Sequence, residues 1–250
     1  MGKALQKKET NTQLTVPDFV EPGQIGLENV RAKDIVLPRM VLMQALSPKV
    51  TESQASPGDV FNSLTDERIF GNSEEQEIVP IYHFIQWIEW GDRNANEGMI
   101  ANSLDPRSDI AMSAMRGDKI MRGGREDFRV TEYHNIVVIL LPTDFINPNI
   151  VLIPFARTNY KVGRKFLGLA RMRGNYPLYA GKYIISTETE VSKANQKYKV
   201  FAIRNAGWVK QDEYQIAKLN HENLDRGFRS NMVKYDIQNE PDPVEESKEF

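Results

Sequence analysis

The sequence predicts a mainly β chain with added helices, an α+β body built on an OB-like Greek-key barrel. Three observations predict it. Ile78–Trp90 reads IVPIYHFIQWIEW, and a run this rich in β-branched and aromatic residues is a strand composition. Residues 179–190 and 197–208 are two further runs joined by a short polar turn near Ser192–Gln196, the pattern of a hairpin. One amphipathic helical segment, 158–173, precedes them. An OB barrel carries a helix between its third and fourth strands. Strands 60–64, 78–90 and 133–157, the helix, and strands 179–190 and 197–208 follow that order.

Residues 1–33 are polar, with Pro17, Pro22, Gly23 and Gly26, and read as a mostly disordered arm. A single domain is expected over 34–232. Its first apolar run, Asp34–Gln44, is split by Pro38, which disfavours a continuous helix there. Ser56-Pro57-Gly58-Asp59 is a turn feeding strand Val60–Leu64. Pro80 confines the start of the long strand to an edge or a bulge. Trp87 and Trp90 fall on opposite faces of that strand, because side chains alternate.

Residues 91–129 are polar and Gly-rich and are expected to form a flexible insertion. Tyr133–Leu141 and Asn149–Phe155 read as paired strands. Thr158 is placed to cap the helix that follows. Val162, Phe166 and Leu169 recur at helical spacing and form its inner face, leaving Arg164, Lys165, Arg171 and Arg173 in water. Gly163 and Gly168 each cost that helix about 1 kcal/mol relative to Ala, and Gly174 stops it. A last helix is expected over 212–228, with Tyr214, Ala217, His221, Leu224 and Phe228 along one side. Residues 233–250 form an acidic, Pro-broken tail.

Composition bounds the chemistry. The chain has no Cys, so disulfides and thiolate metal sites are excluded. No apolar run approaches the ~18 residues that cross a bilayer. The opening MGKALQKKETNTQ has no apolar core and is not a signal peptide, so the expected location is the cytoplasm of the host cell. His83, His134 and His221 are far apart in the chain and form no close ligand pair. There is no GxSxG elbow and no phosphate loop. Asp59 and Glu89 are the nearest approach to a metal-dependent nuclease, and a turn role explains Asp59 better. No catalytic residue, metal or cofactor is expected.

Charge supplies the functional signal. The chain carries a net −2, yet residues 151–210 hold twelve basic side chains against two acids, with nine aromatics among them. Cations attract phosphates, and flat rings stack unpaired bases for about 1–3 kcal/mol each. The candidate contacts are Arg157, Tyr160, Lys161, Arg164, Lys165, Arg171, Arg173, Tyr176, Lys182, Tyr183, Lys197, Tyr198, Lys199 and Arg204, with Trp87 and Trp208. A solvated basic face over an ordinary aromatic core is the competing interpretation. Residues 236–250 hold six acids and one Lys and end in Phe250, an apolar anchor that a basic pocket on a partner could grip.

A basic body followed by an acidic segment with a terminal aromatic resembles the replicative single-stranded DNA-binding proteins of tailed phages. The phrases LPRMVLMQALSP, ASPGDVFNSLT, IVPIYHFIQWIEW and NAGWVKQDEYQIA are similar to a phage-encoded family associated with genome replication. The resemblance implies sequence-tolerant binding of single-stranded DNA in replication or recombination, without catalysis. It implies recruitment of a polymerase or helicase through Asp242, Glu245, Glu246, Glu249 and Phe250. The alternatives are a phage virion or assembly protein and, third, a metal-dependent nuclease.

Overall fold

The computed structural model describes residues 36–91, 98–116, 120–122, 125–143, 147–229 and 234–235. The expected N-terminal arm lies outside the described residues, as does the acidic segment beyond Tyr235 with Asp242, Glu245, Glu246, Glu249 and Phe250. Val36–Leu37 (β1) and Met40–Leu42 (β2) flank Pro38. Pro48–Thr51 (α1), Val60–Asn62 (β3), Arg68–Phe70 (β4) and the long Gln76–Trp90 (β5) follow. Met99–Ser103 (β6), Asp109–Arg116 (α2) and Ile120–Arg122 (β7) lead into Arg125–Leu140 (β8). Then come Ile150–Phe155 (β9), Tyr160–Arg171 (α3), Gly181–Val191 (β10), Lys197–Trp208 (β11), Gln211–Arg229 (α4) and Lys234–Tyr235 (β12).

The chain is therefore mainly β with added helices, as its sequence predicts. The main sheet runs β11-β10-β5-β8, with β9 on β8, β6 on β5 and β7 on β8. A small sheet, β2-β3-β4, stands beside it, and β1 pairs in parallel with β12.

Alternation along the strands builds a core on each face of the main sheet. Ile136, Val138 and Leu140 of β8 join Val151, Ile153 and Phe155 of β9, and Tyr183, Ile185, Phe201 and Ile203 of the hairpin. Val162 and Phe166 of α3 and Met40, Val60 and Phe70 of the small sheet close this face. Val137, Ile139 and Leu152 point the other way, onto Ile216 and Ala217 of α4. Each such large side chain contributes about 1.5–3 kcal/mol on burial. Pro80 sits at a bulge, one of its two expected settings: Pro80 is opposite Val138 and Tyr82 opposite Val137, with Ile81 the extra residue. The bulge resets the alternation, so Val79, Ile81, Tyr82 and Phe84 all pack towards α4.

Three expectations need correction. The first concerns closure: among the described residues the sheets are not closed into a barrel. β9 and β11 do not pair with each other, and the 38–44 segment meets both. Arg39 makes an isolated parallel bridge to Leu152. Gln44 bonds the β11 edge through both its amide atoms, accepting from the Lys199 N–H and donating to the Lys199 carbonyl, each at 2.9 Å. Asn159 accepts the next free N–H, that of Phe201, at 2.8 Å. Side-chain amides thus satisfy an edge that a barrel would satisfy with a strand.

The second concerns where the strand expected from Tyr133 begins, within 91–129. Among its described residues this stretch carries β6, α2, β7 and the start of β8. β8 begins eight residues before the expected Tyr133, because Arg125–Glu132 is too polar to read as a strand. Backbone pairing holds it: Trp90 is opposite Arg129 and Trp87 opposite Glu132. The third concerns Thr158. It lies in a 3-10 turn, Arg157–Asn159, and α3 starts at Tyr160 with no side-chain cap.

Candidate nucleic-acid interface

α3 has twelve residues, YKVGRKFLGLAR, with four cations and no acid. Val162, Gly163 and Phe166 are buried. Lys161, Arg164, Lys165, Gly168 and Arg171 are exposed, and their spacing places them on one stripe of the helix. Gly163 lets that stripe lie close over the sheet: a Cβ there would sit 2.6 Å from the Phe155 Cβ. Lys161 is tied to Glu190, which also accepts from the Tyr198 hydroxyl at 2.9 Å. The Lys161 hydrogen bond holds the Glu190 carboxyl below its ordinary range. Among the described residues Arg164, Lys165 and Arg171 have no carboxylate partner.

An aromatic platform adjoins the C-terminal end of α3. Trp208 is 53% exposed and Tyr176 is 66% exposed, and their rings meet edge to face at 5.1 Å. The Arg173 guanidinium lies 4.8 Å from the Trp208 ring and 4.8 Å from the Tyr183 ring. It donates to the Lys182 carbonyl at 3.1 Å and to Asn205. Gly181 makes room for it, since a Cβ at that position would fall 2.8 Å from the guanidinium. Arg173, expected in free solvent, is instead clamped, with its guanidinium against the Trp208 ring. Trp208 is thus held against a cation while about half of it stays exposed.

The other expected contacts divide by environment. The cations of the hairpin are largely answered. Lys182 pairs with Glu77 at 3.2 Å and Arg204 with Glu75 at 2.7 Å. Lys199 donates to Asn72 at 2.8 Å, and Lys197 is exposed. Arg157 is half-buried, 6.0 Å from the Trp90 ring. Tyr183 and Trp87 are corrections: at 0% and 3% exposure both belong to the core, and neither ring can take a base there. Tyr160 is half-buried with its hydroxyl committed to Glu132. Exposed cations and exposed rings coincide on α3 and the 171–176 turn.

Sequence reading missed a polar cluster beneath α3. The β5–β8 register puts His83 opposite Ile136 and Ile85 opposite His134, which brings the two imidazoles diagonally together. His83 Nε2 and His134 Nδ1 are 3.3 Å apart. Glu132 accepts from the Tyr160 hydroxyl at 2.9 Å and from the Trp87 indole N–H at 3.1 Å, and lies 3.6 Å from His134 Nε2. Burial, with His134 adjacent, lowers the His83 pKa to about 4. Burial also lowers that of His134, against the opposing pull of Glu132. Only the strand register, not the spacing of 51 residues, reveals this pair. Its chemistry is that of neutral imidazoles locked by hydrogen bonds. His221 stands apart on α4, bonded through Nδ1 to the Ile81 carbonyl at 2.8 Å and packed on Tyr82 and Tyr179.

Asp59 has the turn role. Its two oxygens accept the backbone N–H groups of Ser56 and Asn72, at 2.9 and 2.8 Å. Glu89 is fully buried near the far end of β5. Among the described residues no group of three or more His, Asp or Glu is placed to hold a metal ion, and no helix is long and apolar enough to cross a membrane.

A family model described as "Pam3 phage gp34-like protein" matches residues 7–229. The match spans most of the chain, which therefore belongs to the Pam3 phage gp34-like family, named for a bacteriophage protein. No curated protein and no solved structure matches it.

Proposed function

We propose that this member of a phage protein family binds single-stranded nucleic acid, DNA in the first instance, without reading its sequence and without catalysing a reaction. The observation that carries the proposal is the pairing pattern of the cations. Lys182, Lys199 and Arg204 on the hairpin meet acids or an amide, whereas Arg164, Lys165 and Arg171 on α3 meet none among the described residues. Uncompensated cations on one stripe release counterions when they bind phosphates, and that release drives the binding. Trp208 and Tyr176 at the end of the stripe offer bases a stacking surface. The body fits an opened relative of the OB barrel in this reading, with α3 between β9 and β10 where that fold carries its helix. The acidic segment holding Asp242, Glu245, Glu246, Glu249 and Phe250 would recruit a replication enzyme in the host cytoplasm.

The test is tryptophan fluorescence. Trp87 is buried, Trp90 half-buried and Trp208 exposed, so Trp208 should carry the change on binding. Oligo-dT should quench emission to saturation, and Trp208→Phe should remove most of that quench. An unchanged spectrum at saturating oligo-dT would rule out stacking on Trp208.

A second reading, a virion or assembly protein, draws on the apolar character of the same turn. Met172, four residues before Tyr176 in the chain, is 85% exposed, and exposed apolar surface marks protein interfaces where it is contiguous. Salt separates the two, because binding through an apolar patch depends on it weakly.

A further inference from the structure

α3 contains two glycines, and only one has a structural reason. Glycine inside a helix costs about 1 kcal/mol relative to Ala. At Gly163 the cost is offset by close packing on Phe155 and, at 3.4 Å, on the His134 Cβ. At Gly168 a Cβ would meet nothing within 4 Å. The position is exposed, and its backbone is ordinary helix, the Gly168 carbonyl accepting the Met172 N–H at 3.0 Å. Neither packing nor a turn accounts for the missing side chain.

Its neighbours on the helix surface point to a ligand. Arg164 and Lys165 lie one turn before Gly168, and Arg171 and Met172 one turn after it. Residues three and four apart are adjacent on a helix, with Cβ atoms about 5–6 Å apart. Gly168 is thus the low point between three cations that have no carboxylate partner among the described residues. Where glycine replaces a side chain, a partner's backbone can reach the helix itself. We propose that a phosphodiester backbone crosses α3 at Gly168, with Arg164 and Lys165 on one flank and Arg171 on the other. The charge argues for a polyanion over a protein segment, since the helix has no acid to answer a basic side chain. The inference rests on the single-strand reading and adds to it the point of closest approach.

The experiment uses the full chain with Gly168→Ala and Gly168→Leu, and Gln215→Leu on the exposed side of α4 as a control. Thermal unfolding and titration with fluorescein-labelled oligo-dT at several salt concentrations are the readouts. Both Gly168 variants should unfold at or above the wild-type midpoint, since Ala and Leu are better helix formers. Gly168→Leu should raise Kd about tenfold and flatten the salt slope by about 1.4, two phosphate contacts at about 0.7 each. Gly168→Ala should raise Kd by a smaller factor, and Gln215→Leu should bind as wild type. Wild-type affinity and slope in Gly168→Leu, with the unmodified protein binding well, would overturn this inference alone. Failure of the unmodified protein to bind oligo-dT would overturn the single-strand reading and this inference with it.

Discussion

Glu132 accepts from a tyrosine and a tryptophan at once and stands beside His134, which in turn meets His83. Such a cluster has a pH signature. Burial holds the His83 pKa near 4, against an ordinary 6.5, and lowers His134 in the same direction. Between those limits the unfolded chain binds more protons than the folded one, so stability falls as pH drops through that window. The contribution is fully present above pH 6.5. The charged and titratable groups around the pair are Glu132, Tyr160 and Arg164. Urea midpoints measured from pH 7 to 4 should therefore decline less in His83→Phe than in the unmodified protein, and parallel curves would contradict this assignment. At this scale the sequence is least informative. The opposite-face rule for Trp87 and Trp90 is sound, but which indole is buried depends on Glu132, a residue 45 positions away. Tyr183 and Tyr176 look alike in the sequence, yet one is core and the other 66% exposed.

α3 is the element on which packing and function meet. Its inner face is legible, because Val162 and Phe166 recur at helical spacing and both are buried. The reason for Gly163 is not legible, because it lies in β9: the helix crosses at Phe155, and only contact geometry reveals it. Gly163→Ala should therefore cost about 1–3 kcal/mol through forced repacking, whereas Gly168→Ala should gain up to about 1 kcal/mol. Urea unfolding of the two variants checks the opposite signs, and a gain at both positions would refute the close-packing account. β11 was expected from its alternation, and its ends coincide with the expected 197–208. Its outer edge could not be foreseen, since Gln44 is 155 residues from Lys199. β8 shows the limit of periodicity: its first half is polar and is held by backbone pairing to β5.

For the whole molecule, the charge split between 151–210 and the rest of the chain was visible in the sequence, but its spatial meaning was not. Folding brings Glu75, just before β5, and Glu77, at its start, against Arg204 and Lys182. Acids outside the basic window thus neutralise Lys182 and Arg204 of its hairpin, while Arg164, Lys165 and Arg171 of its helix meet no carboxylate among the described residues. A count of charges treats the window as one surface, whereas tertiary pairing divides it in two. The main sheet was legible as β-rich with a helix between strands. Its open edges were not, because closure depends on which strand ends meet and not on any run of residues. The measurement that tests the central claim most directly is the salt dependence of oligo-dT binding by the full chain and two variant sets. In the unmodified protein log K should fall linearly with log salt, at about −0.7 per phosphate contacted. Replacing Arg164, Lys165 and Arg171 together by Ala should reduce that slope by about 2, while Lys182→Ala with Arg204→Ala should leave it nearly unchanged. A flat salt dependence in the unmodified protein, or an equal loss of slope in both variant sets, would contradict the account.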